Sequence, residues 1–149
     1  MHPTYKIYEV GIHCSRWDIE DSHSCIAFST NDNYLYRGRS DNCDQIATIA
    51  VDNPTHWSIT TLETQKVINM RPIDGHFNFE YCKVKYRWTK ETKRNWTLNI
   101  RNGATVAEFN KVELALTKIG DVFIMGKLTP EIVIVTIKAI KMAHEREMY

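Results

Sequence analysis

The sequence lacks an apolar run long enough to cross a membrane. A spanning helix needs about 18 consecutive apolar residues, whereas the longest apolar stretch, Ile132–Ile137, contains Thr136 and is followed by Lys138. The N-terminus also lacks the basic and then apolar segments that a secretory signal would show. We therefore expect a cytoplasmic protein without a transmembrane segment.

An excess of one charge is also missing. The chain of 149 residues carries 19 basic and 18 acidic side chains, for a net charge of +1. Non-specific nucleic-acid binding depends on neutralising phosphates, so it calls for a strongly basic domain. The near-equal numbers of basic and acidic side chains argue against nucleic acid as a partner. They are still compatible with a local basic patch. Length and an apolar content of 43% predict one globular domain over 1–149.

The four cysteines contain no Cys-x-x-Cys pair. Without a secretory signal, reduced and mostly buried thiols are the default, and in an oxidising compartment the sequence would not choose among the possible disulfide pairings. Metal-ligand residue types gather near the N-terminus, but their spacing fits no zinc pattern. We predict no metal and no cofactor, and interpret 13–24 as a polar loop that serves as a lid or contacts a partner protein. The residue types in question are His13, Cys14, Asp18, Glu20, Asp21, His23 and Cys25.

Catalytic signatures are absent as well. The sequence has no Gly-rich phosphate loop, no His-Glu-x-x-His and no Gly-x-Ser-x-Gly. Cys82 lies beside Lys83 and near Lys85, and positive charge of this kind lowers a thiol pKa. On a strand, however, Cys82 faces away from both lysines, so we predict a buried structural cysteine. A role without catalysis is therefore favoured.

What the chain does contain is a series of short alternating segments separated by turn residues, typical of antiparallel strands. The longest predicted strand is Phe77–Trp88. Asn102-Gly103 predicts a tight hairpin turn, whereas Arg71–Gly75 is interpreted as a loop and Ile119–Asp121 as a turn between strands at 113–117 and 122–125. The remaining predicted strands are Thr4–Val10, Cys25–Ser29, Tyr34–Arg37, Ile46–Val51, His56–Thr61, Gln65–Met70, Trp96–Ile100 and Val106–Phe109.

The C-terminal segment has a different pattern. Thr129 suits a helix N-cap, Pro130 the first turn, and Glu131 the positive end of the helix dipole. Ile132–Ile137 is apolar on every side, which is typical of a fully buried helix. Its β-branched residues also suit a strand, but length and capping favour a helix over Thr129–Met148, about 30 Å long.

The order of several motifs over 24–148 resembles the tubby C-terminal-like superfamily, which includes tubby proteins, phospholipid scramblases and LURP-one-related proteins. It is most similar to an uncharacterised family of fungal tubby-like domains. The resemblance implies a mostly-β fold, namely a closed antiparallel β-barrel with a buried apolar C-terminal α-helix through its centre. It implies almost nothing about activity. The motifs are Tyr86-Arg87-Trp88, Trp96-Thr97-Leu98, Gly103–Phe109, Gly120–Met125 and Thr129–Ile140. We expect Trp57, Trp88 and Trp96 to pack between barrel and helix.

A basic stripe is the most suggestive surface feature. It comprises Lys83, Lys85 and Arg87 on one strand face, followed by Lys90, Lys93 and Arg94 in the next turn. Clusters of four to eight basic residues bind anionic head groups at about 1 kcal/mol per residue, and some tubby proteins bind phosphoinositides through such side chains. The simpler interpretation is a solvated outer face.

Three functional hypotheses follow. The first is a non-catalytic binding module whose stripe meets an anionic lipid head group, such as a phosphoinositide, or an acidic protein partner. The second is a small enzyme or small-ligand carrier that uses a cleft at an open end of the barrel. The third is a protein-interaction role for the 13–24 loop.

Overall fold

The computed structural model describes residues 2–10, 16–39, 44–53, 56–112 and 117–147, and these form twelve β-strands and one α-helix. The strands are β1 (Tyr5–Val10), β2 (Arg16–Glu20), β3 (Ile26–Asn31), β4 (Tyr34–Arg37), β5 (Gln45–Asn53), β6 (His56–Thr61), β7 (Lys66–Ile73), β8 (His76–Tyr81), β9 (Val84–Lys90), β10 (Asn95–Ile100), β11 (Thr105–Lys111) and β12 (Lys118–Ile124), and the helix is α1 (Pro130–Glu147). Each strand pairs antiparallel with the next, and β1 also pairs with β12. The predicted closed antiparallel barrel is therefore confirmed.

Alternation of side chains across each strand produces the core. On β9, Tyr86 and Trp88 are buried inside the barrel, whereas Lys85 and Arg87 are exposed on the outside. Successive side chains of a strand point to opposite faces, so a closed sheet sorts them into an inner and an outer set.

The helix α1 fills the barrel. The nine consecutive residues 132–140 are all buried, which requires protein around the whole circumference of the helix. At its start, the carbonyl of Thr129 accepts a hydrogen bond of 3.1 Å from the backbone N–H of Ile132. The buried apolar C-terminal helix is thus confirmed, and Trp57, Trp88 and Trp96 are buried in the same core.

The barrel has two distinct ends. The helix begins at what we call the entry end, where the turns at 62–65, 82–83 and 101–104 lie. It leaves at the opposite, exit end, together with the turns at 32–33, 74–75 and 91–94.

Two hairpin turns correct the strand predictions. Cys82 and Lys83 adopt positive φ values of 50° and 66°, which divides the predicted Phe77–Trp88 strand into β8 and β9. Adjacent left-handed residues form the type I′ turns that suit hairpins. Arg71–Gly75 is likewise not a loop, because β7 continues to Ile73 and Asp74 and Gly75 alone make the turn.

The Ile119–Asp121 segment also differs from its prediction. It lies inside β12, where Gly120 pairs with Ile7 and with Lys111. A Cβ on Gly120 would stand 2.6 Å from the Phe109 ring, so the glycine permits a close packing contact and makes no turn. Of the predicted 113–117 strand, 113–116 lies outside the described residues.

The predicted 13–24 loop is partly wrong. Residues 13–15 lie outside the described part of the chain, but Arg16–Glu20 forms β2, and Trp17 and Ile19 are fully buried. Alternating side chains of this strand point into the barrel, which places both residues in the core. Only a short turn at 21–25 therefore remains where a long loop was predicted.

Candidate functional site

The structure divides the predicted basic stripe among three places. Lys83 occupies the β8–β9 turn at the entry end. Lys85 and Arg87 are exposed on the outer face of β9. Lys90, Lys93 and Arg94 lie at the exit end, about 20 Å from Lys83 along the strand. The six side chains therefore do not form one continuous surface.

The outer face of β7–β10 carries what we call the wall groove, with a volume of about 800 Å³. Strand register places Arg71, Asn78, Arg87 and Asn99 side by side in one row across four strands. Directly opposed antiparallel residues have Cβ atoms about 5 Å apart. Cationic and amide side chains thus alternate along this row, which keeps the two guanidinium groups from direct contact.

A second row of the wall groove lies toward the entry end. Lys85 is opposite Glu80, and the backbone N–H of Arg101 donates to the Lys85 carbonyl at 2.8 Å. Four cationic side chains and one carboxylate therefore line the described groove. The cations are Arg71, Lys85, Arg87 and Arg101.

Hydrogen bonds hold the first row in place. Arg87 Nε donates to Asn78 Oδ1 at 2.7 Å. Asn99 accepts from Thr105 Oγ1 at 2.6 Å and donates to Thr97 Oγ1 at 3.2 Å, and Thr97 in turn donates to Glu91 at 2.9 Å. Asn78, Arg87 and Asn99 are therefore oriented before any ligand arrives, which lowers the entropic cost of binding.

A second concavity, the mouth pocket, opens at the exit end between α1 and the strands around it. Its volume is about 260 Å³. The pocket combines an aromatic and aliphatic floor with a basic rim, and Lys90 and Lys93 of the predicted stripe belong to that rim. The lining residues are Trp17, Trp88, Trp96, Phe109, Ile119, Ile137, Ile140, Lys90, Lys93, Lys111, Lys141, His144 and one carboxylate, Glu145.

Lys138 places a charge inside the barrel near the same end. Its side chain belongs to the buried part of α1 and is 7% exposed. The Lys138 ammonium lies 4.5 Å from the centre of the Trp17 ring, a cation–π contact. Burial lowers the pKa of Lys138, because removing water penalises the charged form.

Cys82 contradicts its prediction as a buried structural cysteine. It is a free, exposed thiol in the β8–β9 turn, because the positive φ values at 82 and 83 end the strand alternation on which the prediction rested. Its partner is Lys66, whose Nζ lies 2.9 Å from the Cys82 sulfur. This hydrogen bond lowers the pKa of the Cys82 thiol, so the flanking lysines that the sequence suggested are not the cause.

In the N-terminal set of metal-ligand types, Asp18 and Glu20 lie on β2, and Asp21, His23 and Cys25 lie in the turn that follows it. Asp21 Oδ1 accepts backbone N–H groups of His23 and Cys25 at 2.9 and 3.1 Å, an arrangement typical of an Asx turn. Among the described residues, no three His, Cys, Asp or Glu side chains converge to hold a metal ion. His13 and Cys14 lie outside the described residues.

Comparison with protein families, curated proteins and solved structures gave no match to this chain. The class that the structure itself defines is a closed, twelve-stranded antiparallel barrel filled by a C-terminal helix. The tubby-like kinship stays a prediction. Within the described residues, no helix has the length and apolar character that crossing a membrane requires.

Proposed function

We propose that this protein is a non-catalytic binding module and that its wall groove binds the phosphorylated head group of an anionic lipid, such as a phosphoinositide. The observation that carries the proposal is the row in which Arg71, Asn78, Arg87 and Asn99 alternate across four strands. Guanidinium groups bind phosphate oxygens with two parallel hydrogen bonds, and amides donate to phosphate or hydroxyl oxygens.

The position and charge of the wall groove suit an anionic head group at a membrane surface. The groove lies on the outer barrel wall, where its four cationic side chains are all exposed. Its four cations fit the number of basic residues that hold anionic lipids, at about 1 kcal/mol each. An acidic protein is the competing partner, and it would be recognised by the same charges.

Vesicle flotation tests the proposal. The vesicles contain phosphatidylcholine with phosphatidylinositol bisphosphate, or with phosphatidylserine at equal total charge. We expect stronger binding to the phosphoinositide vesicles. Lys85→Gln/Arg101→Gln should weaken that binding by about 2 kcal/mol, or roughly 30-fold, because two of the four cations are lost.

The matched control is Arg39→Gln/Lys127→Gln, which removes two exposed charges outside the groove. It should bind like the wild type. Equal flotation of the Lys85/Arg101 variant would contradict the proposal. Binding to polyglutamate that exceeds binding to phosphoinositide vesicles would instead identify an acidic protein as the partner class.

A further inference from the structure

The mouth pocket has a rigid apolar floor. Trp88 is fixed there by a hydrogen bond of 2.9 Å from its Nε1 to Thr136 on the helix. The rings of His144, Phe77 and Trp96 contact one another, with centroids 5.8 Å from His144 to each of the other two and 6.0 Å between Phe77 and Trp96. These contacts fix the positions of Trp88, Trp96 and His144, so the pocket is largely formed before a ligand binds.

The alternation of side chains along β9 and β11 explains why the rim of the mouth pocket is basic. Lys90 follows the buried Trp88 at the next inward position of β9, and Lys111 follows the buried Phe109 in the same way on β11. Both lysines therefore occupy positions that would otherwise continue the apolar core. Lys93 joins them from the β9–β10 turn.

Three of the four rim lysines have no carboxylate partner in the described chain, and the pocket's carboxylate, Glu145, lies beside the fourth, Lys141. No carboxylate of the described residues lies within 4 Å of the ammonium groups of Lys90, Lys93 or Lys111. Lys141 differs, since Glu9 and Glu145 lie 3.5 and 3.8 Å from its Nζ. Three lysines are thus available to an incoming anion.

We infer that the mouth pocket binds a small amphiphile that has one carboxylate head and a short acyl body. The apolar floor takes the acyl chain, and Lys90, Lys93 and Lys111 take the head. A free phosphate would leave the apolar floor without a contact. The volume of about 260 Å³ lies just below the range of roughly 300–1,000 Å³ found for drug-sized ligands, so the pocket has room for one short chain.

Tryptophan fluorescence provides the test, because Trp17, Trp88 and Trp96 line the pocket. The probe is ω-bromooctanoate, whose bromine quenches tryptophan on contact. We expect saturable quenching that octanoate reverses by competition. Octanol, which lacks the charge, should compete about tenfold less well or worse, since charge-assisted contacts are the strong ones.

Charge-removing variants locate the binding. Lys90→Gln/Lys111→Gln changes two exposed side chains and should weaken ω-bromooctanoate binding about tenfold or more. The wall-groove variant Lys85→Gln/Arg101→Gln is the matched control and should bind the probe like the wild type.

Three results would overturn the inference: quenching that does not saturate, octanol competing as well as octanoate, or equal losses in the two double variants. The two proposed sites use different residues, so failure of one experiment leaves the other standing.

Discussion

Trp88 and Thr136 link the barrel wall to the buried helix through a polar contact in an apolar core. Thr136 Oγ1 accepts from the Trp88 indole at 2.9 Å and lies 2.8 Å from the Ile132 carbonyl, to which it donates. Both polar groups are buried, and each has a partner. A threonine in an otherwise aliphatic helix segment therefore has a structural role.

Replacing Thr136 with valine should destabilise the protein although the shape is nearly unchanged. The Trp88 N–H would lose its acceptor, and an unsatisfied buried donor costs about 1–3 kcal/mol. Urea denaturation should show this decrease in the free energy of unfolding. Thr136→Ser retains the hydroxyl and should lose only about 1 kcal/mol, the worth of a buried methyl group. A valine variant as stable as the wild type would show that the contact contributes nothing.

Cys82 should be an unusually reactive thiol. Because Lys66 lowers the pKa of Cys82, more thiolate is present at neutral pH, and the thiolate is the nucleophile. Iodoacetamide labelling followed by peptide mass spectrometry should show a pH profile that Lys66→Gln moves to higher pH. An unchanged profile would contradict the 2.9 Å contact. Cys25, also free and exposed, serves as the internal control.

At the scale of single elements, α1 was the most predictable part of the chain. Its N-terminal cap and its apolar circumference are local features, so Thr129–Ile137 indicated both the start and the burial of the helix. The β8–β9 turn was not predictable in the same way. Cys82 and Lys83 are not typical residues of a type I′ turn, and only the pairing of Tyr81 with Val84 fixes their positive φ values.

Within α1, Lys138 gives the stability a pH dependence. The groups that act on it electrostatically are Glu145, Lys141, Glu9 and Asp32, but burial is the dominant cause of its lowered pKa. Between this lowered pKa and the ordinary lysine value of about 10.4, the unfolded chain binds a proton that the folded chain does not. The free energy of unfolding therefore rises with pH across this window.

The variant Lys138→Met should lack that rise. Urea denaturation of both proteins from neutral pH to about pH 10 should show the largest relative advantage of the variant at the low end, shrinking as pH increases. Subtracting the two curves removes the contributions of other titrating groups. A pH-independent difference would show that Lys138 keeps its ordinary pKa in the folded state.

At the scale of the whole molecule, both proposed sites depend on the register between paired strands, which local sequence patterns do not reveal. The sequence identified Lys85 and Arg87 as outward neighbours, and the structure agrees. It missed Arg71 and Arg101, because their place beside β9 follows from the pairing of separate hairpins. The sequence pattern also grouped Lys90 with the basic stripe. The alternation of side chains along β9 instead directs Lys90 toward the mouth pocket.

The central claim is that a closed barrel surrounds α1, since the helix forms one wall of the mouth pocket and fills the space behind the wall groove. Native-state amide hydrogen exchange tests this directly. Amides 133–140 should exchange only through global unfolding, with a protection free energy equal to that from denaturant titration, because the barrel must open to release the helix. Exchange of these amides as fast as those of the exposed 101–104 turn would contradict the account.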